Sequence, residues 1–272
     1  MTTLAAALAA ARARLPANEA RLLLGHVLQQ SAAWLLAHDD QVLAEDELLA
    51  FASLVARRAG GEPVAYLVGF REFFGREFEV SSSVLIPRPE TELLIEIAVA
   101  KVGAGATAKI LDLGTGSACI AITLALEIPN AHVTAVDACA AALQVARKNA
   151  ERLGAQVRFL PSDWFSALVG ERFNLIVANP PYIAAADPHL AAGDLRREPA
   201  AALASGADGL DAIRCIISAA PAHLAAGGWL WLEHGYDQGD MVNELLAAAG
   251  FADIEQRRDL AGIMRASGGR LK

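Results

Sequence analysis

The chain has 272 residues, of which 54% are hydrophobic and 20% charged, and this composition predicts one large or two ordinary globular domains with filled cores. Its net charge of −8 argues against duplex nucleic acid as the main partner, because phosphate binding requires a basic surface. The three cysteines and six scattered histidines lack the spacing of a disulfide framework or a metal site, so we expect no metal and a reduced, cytoplasmic setting.

No membrane-spanning segment is predicted. The most apolar long stretch, residues 212–232, is interrupted by an arginine, a proline, a histidine and two glycines. We therefore interpret it as a helix, a turn and a strand, and expect no membrane partner.

The N-terminal part of the chain predicts a small helical bundle, assigned to residues 1–61. Alanine and leucine dominate residues 2–59, where three to five helices are expected, and Gly60-Gly61 closes the segment. Asn18 is a candidate N-cap after the break at Pro16. The apolar stripes of these helices are most simply core, and a docking surface for a partner is the alternative.

Residues 62–83 predict a β-hairpin linker, with two short strands on either side of Gly75. The chain then enters a second domain, assigned to residues 84–272. Pro87 and Pro89 keep this entry extended, and Pro89 suits the first turn of the next helix.

From Lys109 onward, short apolar runs alternate with helical patterns, which predicts an α/β fold with a doubly wound parallel sheet and helices on both faces. The pairing of the last strands stays open, and the final one is the weakest. The predicted strands are residues 110–113, 132–136, 157–160, 173–178, 229–233, 251–257 and 263–266. The predicted helices are residues 117–127, 140–153, 211–224 and 238–249.

A glycine turn follows the first predicted strand, in the run Gly114-Thr115-Gly116-Ser117-Ala118. Glycines allow the backbone to turn sharply and to approach a ligand closely. Asp137 ends the second strand, where a carboxylate can accept the hydroxyls of an adenosine ribose. NAD is disfavoured because Cys119 stands where the dinucleotide fingerprint has its third glycine. A tight turn in an enzyme that binds no nucleotide is the alternative.

Asp163 and Trp164 follow the third predicted strand at the same edge of the sheet. Asp163 is a candidate acceptor for an adenine amino group, and Trp164 a candidate wall for its ring. A capped turn with a core tryptophan explains them equally well.

Asn179-Pro180-Pro181-Tyr182 follows the apolar strand 173–178. A strand stops at two prolines, because proline donates no N–H to a sheet and fixes its own φ. The Asn179 side-chain carbonyl and nearby backbone carbonyls are then rigid acceptors beside the flat face of Tyr182. This arrangement predicts a seat for a planar –NH2 group.

In combination, these motifs resemble the S-adenosylmethionine-dependent class I methyltransferases that act on a planar amino or amide nitrogen. Along nearly its whole length the chain is similar to the peptide chain release factor glutamine methyltransferases (the HemK family). The runs that carry this resemblance are residues 84–92, 162–165, 179–183 and 232–235, together with the N-terminal helical domain and hairpin.

The resemblance implies a Rossmann-like methyltransferase domain, S-adenosylmethionine as methyl donor, and methylation of the glutamine amide nitrogen in the Gly-Gly-Gln motif of bacterial release factors, in translation termination. It implies release factors as protein partners that dock on the helical bundle, and no stable nucleic acid binding. Family members commonly have glycine where this chain has Ala118.

Carried over by motif, the resemblance also assigns the site residues. Asn179, Pro180 and Tyr182 are the expected catalytic residues, and Pro181 joins them in binding the glutamine. The expected donor-binding residues are Gly114, Thr115, Gly116, Ser117, Ala118, Asp137, Asp163, Trp164 and Asn179.

Three other functions remain open from the sequence. Adenine-N(6) methylation of DNA or RNA uses the same tetrapeptide, but the acidic total and the lack of a sizeable basic recognition domain stand against it. A glutamine methyltransferase of a ribosomal protein is disfavoured by the stretch from Pro87 to Glu90. A non-catalytic module that binds an adenosine nucleotide is disfavoured by the intact tetrapeptide at Asn179.

Overall fold

The computed structural model describes residues 1–272. The chain divides into two compact units, residues 1–70 and 71–272, and each has a hydrophobic core of its own. No helix in either unit has the length and apolar character that crossing a membrane requires.

The first unit is a bundle of five short helices, as the alanine- and leucine-rich composition predicted. Their apolar faces meet in a core that includes Leu4, Leu23 and Phe51, all almost fully buried. The helices are α1 (Leu4–Ala11), α2 (Ala17–Leu28), α3 (Ala32–Ala37), α4 (Glu45–Ala59) and α5 (Val64–Val68).

Two local predictions for this unit are wrong. Asn18 is not the N-cap of α2, because that helix already begins at Ala17, and Pro16 stands at the cap position without a side-chain hydrogen bond. The helix α5 lies beyond Gly61, where the sequence suggested only a linker. Its five residues are too few for a helical period to appear in the sequence.

A hairpin follows the helical bundle, with strands β1 (Phe70–Phe73) and β2 (Arg76–Glu79) about Gly75, as predicted. Beyond it, Pro89 begins a short 3-10 turn that ends at Thr91. The elements that follow are α6 (Glu92–Val102), β3 (Lys109–Leu113), α7 (Cys119–Glu127), β4 (His132–Asp137), α8 (Ala140–Leu153), β5 (Val157–Pro161), β6 (Phe173–Ala178), α9 (Asp211–His223), β7 (Leu224–Glu233), α10 (Gly239–Ala248), β8 (Phe251–Arg258) and β9 (Met264–Leu271).

The second unit is built on a seven-stranded sheet with the order β5-β4-β3-β6-β7-β9-β8. Strands β3 to β7 pair in parallel, and the last two strands join antiparallel. The predicted Rossmann-like sheet is therefore confirmed, and the open question about the last strands is answered. All five parallel strands end at one edge of the sheet.

The alternation of side chains along the central strands separates two cores on opposite faces of the sheet. Ile110 packs with the cluster that contains residues of α6, α7 and α8, whereas its neighbour Leu111 packs with the cluster that contains residues of α9 and α10. In β6, Leu175 and Ile176 divide in the same way. Helices therefore cover both faces, as the doubly wound pattern predicted.

The last strand extends to Leu271, well beyond the predicted end at Ala266. Gly268 and Gly269, which lie beyond the predicted end, are strand residues. A Cβ on Gly268 would lie 2.3 Å from the ring of Trp231 on β7, so only glycine lets the two strands pair across this large side chain.

Candidate active site

A cavity of about 290 Å³ lies at the carboxyl-terminal ends of β3, β4, β5 and β6, the edge where open α/β sheets hold ligands. It brings together most of the residues singled out in the sequence, each of which follows one of these strands. Those that line it are Gly114, Thr115, Gly116, Ser117, Asp137, Asp163, Trp164, Asn179, Pro180 and Pro181. Ala118 and Tyr182 are not among the lining residues.

The glycine turn after β3 is left-handed at alternate positions. Gly114, Gly116 and Ala118 have φ of 69°, 55° and 64°, a region that glycine enters freely and alanine does not. A Cβ on Gly116 would have no heavy atom within 4 Å, so the space beside this cavity-lining residue is free for a ligand. Ala118 is fully buried at the start of α7, behind the turn.

Asp137 ties this turn to the end of β4. Its two carboxylate oxygens accept hydrogen bonds from the backbone N–H of Gly116 at 2.9 Å and of Cys139 at 2.8 Å. A carboxylate has about four acceptor positions, so each oxygen keeps one for a ligand hydroxyl. The residue therefore shapes the turn and still offers acceptors to the cavity.

Trp164, in the turn that follows β5, adopts a left-handed backbone conformation. Its φ is 45°, and its indole ring approaches Gly114, where a Cβ would lie 3.5 Å from the ring. Ser162 stabilises the turn, because its hydroxyl donates to the Trp164 carbonyl at 2.8 Å and accepts from the Ala167 N–H at 3.0 Å. The turn thus fixes a large aromatic face at the cavity wall beside Asp163.

Asp112, two residues before Gly114, was not predicted to contribute to the site. It is fully buried, and one carboxylate oxygen accepts from the Thr115 hydroxyl at 2.6 Å while the other has no hydrogen-bond partner. Burial raises its pKa to about 7. An acidic residue inside an apolar strand was the sequence signal for it.

Asn179 sits at the end of β6 with its side-chain amide held in one orientation. The Nδ2 group donates to the Thr91 hydroxyl at 3.0 Å, which leaves the carbonyl Oδ1 as the free acceptor. Thr91 in turn donates to a carboxylate oxygen of Glu233, at the end of β7, at 2.7 Å. Thr91 also lines the cavity, and neither partner was predicted to contribute to the site.

Tyr182 lies beside the cavity and outside its lining. Its hydroxyl donates to the second carboxylate oxygen of Glu233 at 3.1 Å, and its ring packs on the apolar cluster between the sheet and α9 and α10. Burial and the adjacent carboxylate raise the pKa of the Tyr182 phenol above its ordinary range, so the phenol stays neutral.

Two loops complete the cavity wall, one before α6 and one between β6 and α9. The first contributes Arg88, and the second contributes Pro199, which follows Glu198, a residue with a buried side chain. Glu198 forms an ion pair with Arg88 and accepts from the Ile86 N–H at 3.0 Å. No motif marks Glu198 in the sequence, because its partner lies 110 positions away.

Two cysteines, the buried Cys119 and the exposed Cys139, lie at the cavity wall. Cys119 lines the cavity, but burial raises the pKa of its thiol to about 12, so it remains a neutral thiol. No group of three or more His, Cys, Asp or Glu side chains is placed to hold a metal ion. The polar groups at this edge include carboxylate and amide acceptors, hydroxyls, backbone N–H donors and the Arg88 guanidinium.

The comparisons with known proteins agree with this architecture. Residues 1–69 match the family described as PrmC N-terminal domain, and residues 89–208 match the methyltransferase small domain. In the solved structure of a methyltransferase from Pyrococcus furiosus, the same fold recurs with a TM-score of 0.55 at 20% identity, over 80% of this chain and 98% of that one.

Two curated relatives match along nearly their whole length. The release factor glutamine methyltransferase of Burkholderia pseudomallei is 54% identical over 94% of this chain and 93% of its own. That of Bordetella pertussis is 53% identical over 94% of this chain and 96% of its own. The chain belongs to the release factor glutamine methyltransferase family.

Proposed function

We propose that this enzyme transfers a methyl group from S-adenosylmethionine to the side-chain amide nitrogen of the glutamine in the Gly-Gly-Gln motif of peptide chain release factors. Asn179 carries the proposal, because its amide is oriented by Thr91 so that a carbonyl acceptor remains free at the cavity. A planar –NH2 group is the natural donor to such an acceptor.

The residues of the cavity fit S-adenosylmethionine. We assign the ribose hydroxyls to Asp137, the adenine ring to Trp164 and Asp163, and the close backbone approach to the glycine turn with its open space at Gly116. The remaining donor contacts are assigned to Gly114, Thr115, Ser117 and Asn179, with Ala118 supporting the turn from behind. The bound donor supplies an electrophilic methyl group on a sulfonium sulfur.

The protein groups hold the nucleophile. An amide nitrogen is weakly nucleophilic, because its lone pair is conjugated with the carbonyl. We assign its two N–H bonds to the Asn179 Oδ1 and the Pro180 backbone carbonyl, an arrangement that favours positive charge developing on the nitrogen. Pro181 keeps this corner of the backbone rigid. Tyr182, neutral and fixed by Glu233, is assigned to pack against the amide plane.

We further propose that the helical bundle, expected at residues 1–61 and extended to Val68 by α5, docks the release factor, with the hairpin within residues 62–83 as the linker and residues 84–272 as the methyltransferase domain. Large apolar side chains exposed on the bundle support this assignment: Leu22 is 57% exposed, and Leu36 and Leu49 are each 66% exposed. We place the reaction in the cytoplasm, where release factors act, and assign the enzyme no metal, membrane or stable nucleic acid partner.

Methyl transfer to defined acceptors tests the function. The purified enzyme is incubated with donor carrying a labelled methyl group and with unmethylated release factor, with the same factor whose Gly-Gly-Gln glutamine is replaced, or with duplex DNA. We expect label only in the first reaction, located on the glutamine by mass spectrometry. Label in the glutamine-free factor or in DNA would overturn the proposal, and label in DNA would support adenine methylation instead.

A further inference from the structure

We infer that Glu233, acting through Thr91, is a positioning residue for methyl transfer, because this one buried carboxylate fixes both ends of the Asn179–Tyr182 tetrapeptide. The inference rests on the proposed function, since it concerns the orientation of the groups assigned to hold the substrate amide.

The sheet brings these residues together. Glu233 ends β7, which pairs in parallel with β6, and Ala178 lies opposite Leu232 in the register. The Glu233 side chain is therefore delivered to the same edge as Asn179. It is 2% exposed, so its carboxylate depends on protein partners rather than on water.

Each carboxylate oxygen of Glu233 has its own hydroxyl donor. Oε2 accepts from Thr91 at 2.7 Å, and Oε1 accepts from Tyr182 at 3.1 Å. Thr91 in turn orients Asn179, because the Thr91 hydroxyl oxygen accepts from Asn179 Nδ2 at 3.0 Å. One carboxylate thus sets Tyr182 directly and Asn179 through one intermediate.

The direction of the hydrogen bonds determines what Asn179 presents. A threonine hydroxyl has one proton, and here it points to Glu233, so only lone pairs face Asn179. The asparagine must then turn its –NH2 group toward Thr91 and its carbonyl away. If Glu233 instead donated to Thr91, the Thr91 proton would be free to pair with Asn179 Oδ1. The Asn179 side-chain amide would then rotate and present its –NH2 group to the cavity. The substrate amide would then meet a donor.

The charge state of Glu233 therefore bears on turnover. Burial raises the pKa of Glu233 to about 7. The hydroxyls of Thr91 and Tyr182 and the charge of Arg265 on β9 lower its pKa, and Glu90 of the 3-10 turn raises it. Below its pKa the carboxyl binds a proton, so we expect turnover to fall as the pH drops through about 7.

Substitutions at Thr91 test the hydrogen-bond chain from Glu233 through Thr91 to Asn179. Thr91→Val removes the acceptor for Asn179, and we expect kcat to fall by roughly 10- to 100-fold, the scale of a misplaced reacting group. Thr91→Ser keeps the hydroxyl and should stay within about threefold of wild type. Thr123→Val is the matched control, because Thr123 is also fully buried but has no hydrogen-bond partner and does not line the cavity.

Thermal unfolding and donor affinity, measured for every variant, separate positioning from misfolding. We expect the affinity of Thr91→Val for S-adenosylmethionine to fall far less than its kcat, because the donor contacts assigned to the glycine turn and to Asp137 do not depend on Thr91. A Thr91→Val enzyme with the same kcat as Thr123→Val would overturn the inference. So would a Thr91→Ser enzyme as slow as Thr91→Val.

Glu233→Gln tests the carboxylate through a pH profile. Its kcat should fall by roughly tenfold or more, because an amide puts a donor group where two acceptors are needed. The acidic limb of the wild-type kcat profile should also be absent from this variant, an effect that mere loosening of the site would not produce. A wild-type profile retained in Glu233→Gln would refute the role of Glu233.

Asn179→Ala distinguishes failure of this inference from failure of the proposed function. If Asn179→Ala is inactive while Thr91→Val and Glu233→Gln remain fully active, the proposed function stands and the positioning role is wrong. If Asn179→Ala itself retains wild-type turnover, the assigned site is wrong and the inference falls with it.

Discussion

The Asp137 carboxylate accepts a 2.9 Å hydrogen bond from the backbone N–H of Gly116, which lies 21 positions earlier in the chain. Its other oxygen accepts from Cys139. The residue proposed to bind the ribose is thus also the residue that holds the glycine turn to β4. Donor affinity should depend on it twice, once through its free lone pairs and once through the shape of the turn.

Asp137→Ala should therefore weaken donor binding more than the loss of a single ligand contact. Hydrogen bonds to a charged group contribute about 1.5–3 kcal/mol each, so we expect the Kd for S-adenosylmethionine to rise at least tenfold. Asp137→Asn keeps one acceptor oxygen and should lose less. Isothermal titration calorimetry measures both, and equal affinity for Asp137→Ala and wild type would contradict the role.

Asn179→Ala should lose on the order of 10²–10³ in kcat, the cost of removing one preorganised polar contact to a developing charge. Single-turnover methyl transfer to release factor measures the chemical step, and calorimetry measures donor binding separately. Because Asn179 is proposed to contact both ligands, Asn179→Asp is informative as well: it keeps an acceptor oxygen but cannot donate to Thr91. A loss below about tenfold in Asn179→Ala with intact donor binding would count against the assigned role.

Ala118→Gly should change stability little, because two effects oppose each other. Alanine at a φ of 64° costs roughly 1–2 kcal/mol, which glycine relieves. Glycine loses the buried methyl group, about 0.8 kcal/mol, and gains freedom in the unfolded chain, about 0.5–1 kcal/mol. We expect the free energy of unfolding, from urea titration, to stay within about 1 kcal/mol of wild type.

Ala118→Val is the contrasting variant. A β-branched side chain at a positive φ is strongly disfavoured, and the position is fully buried. It should destabilise the protein by about 2 kcal/mol or more. Equal stability of the glycine and valine variants would show that neither the strain nor the packing at Ala118 matters.

Much of the candidate site could be predicted because its residues follow strands that are themselves visible in the sequence. Buried parallel strands appear as short apolar runs, and parallel strands end at one edge. Asp137, Trp164 and Asn179, which are far apart in the chain, could therefore be assigned to one site before any coordinates were known.

The partners that orient those residues could not be predicted. Thr91 and Glu233 are separated by 142 positions, and Arg88 and Glu198 by 110, so no local pattern links them. A threonine before a helix is most simply a cap, and a glutamate at a strand end is most simply solvated. Only the assembled fold shows that both are buried against polar partners.

Arg88 and Glu198 should show strong coupling in a double-mutant cycle. Arg88→Ala leaves the Glu198 carboxylate buried with only the Ile86 N–H as partner, and we expect a loss of about 2 kcal/mol or more. The Arg88→Ala/Glu198→Ala double variant removes the stranded charge as well, so it should be more stable than Arg88→Ala alone. Urea titrations of the four proteins measure this, and additive losses would contradict the expected coupling.

The two buried carboxyls should make the folded protein less stable as the pH rises. Burial raises the pKa of Asp112 and Glu233 to about 7, from ordinary values of 3.8 and 4.5. Between these limits the folded state holds protons that the unfolded state has released, so the contribution of these two groups to stability is greatest at acidic pH and falls until about pH 7. One pKa unit corresponds to about 1.4 kcal/mol, so each carboxyl contributes a decline on the order of a few kcal/mol.

Glu233→Gln should remove its share of that decline, because a glutamine does not ionise. Urea unfolding midpoints are measured at several pH values between about 4 and about 8. The midpoint should decrease less steeply with rising pH in the variant than in wild type. Asp112→Asn should have the same effect on stability. An unchanged slope in both variants would contradict the assignment of raised pKa values to these residues.

The same ionisation acts in opposite directions on stability and on turnover. Above about pH 7 the charged Glu233 costs folding free energy, yet only the charged form accepts from both Thr91 and Tyr182. We therefore expect Glu233→Gln at about pH 8 to be more stable and slower than wild type. Such a trade-off between stability and activity is expected where a functional group is unfavourable to bury. Parallel measurement of unfolding and kcat at that pH checks both signs, and a variant that is as fast as wild type, or less stable, would contradict this expectation.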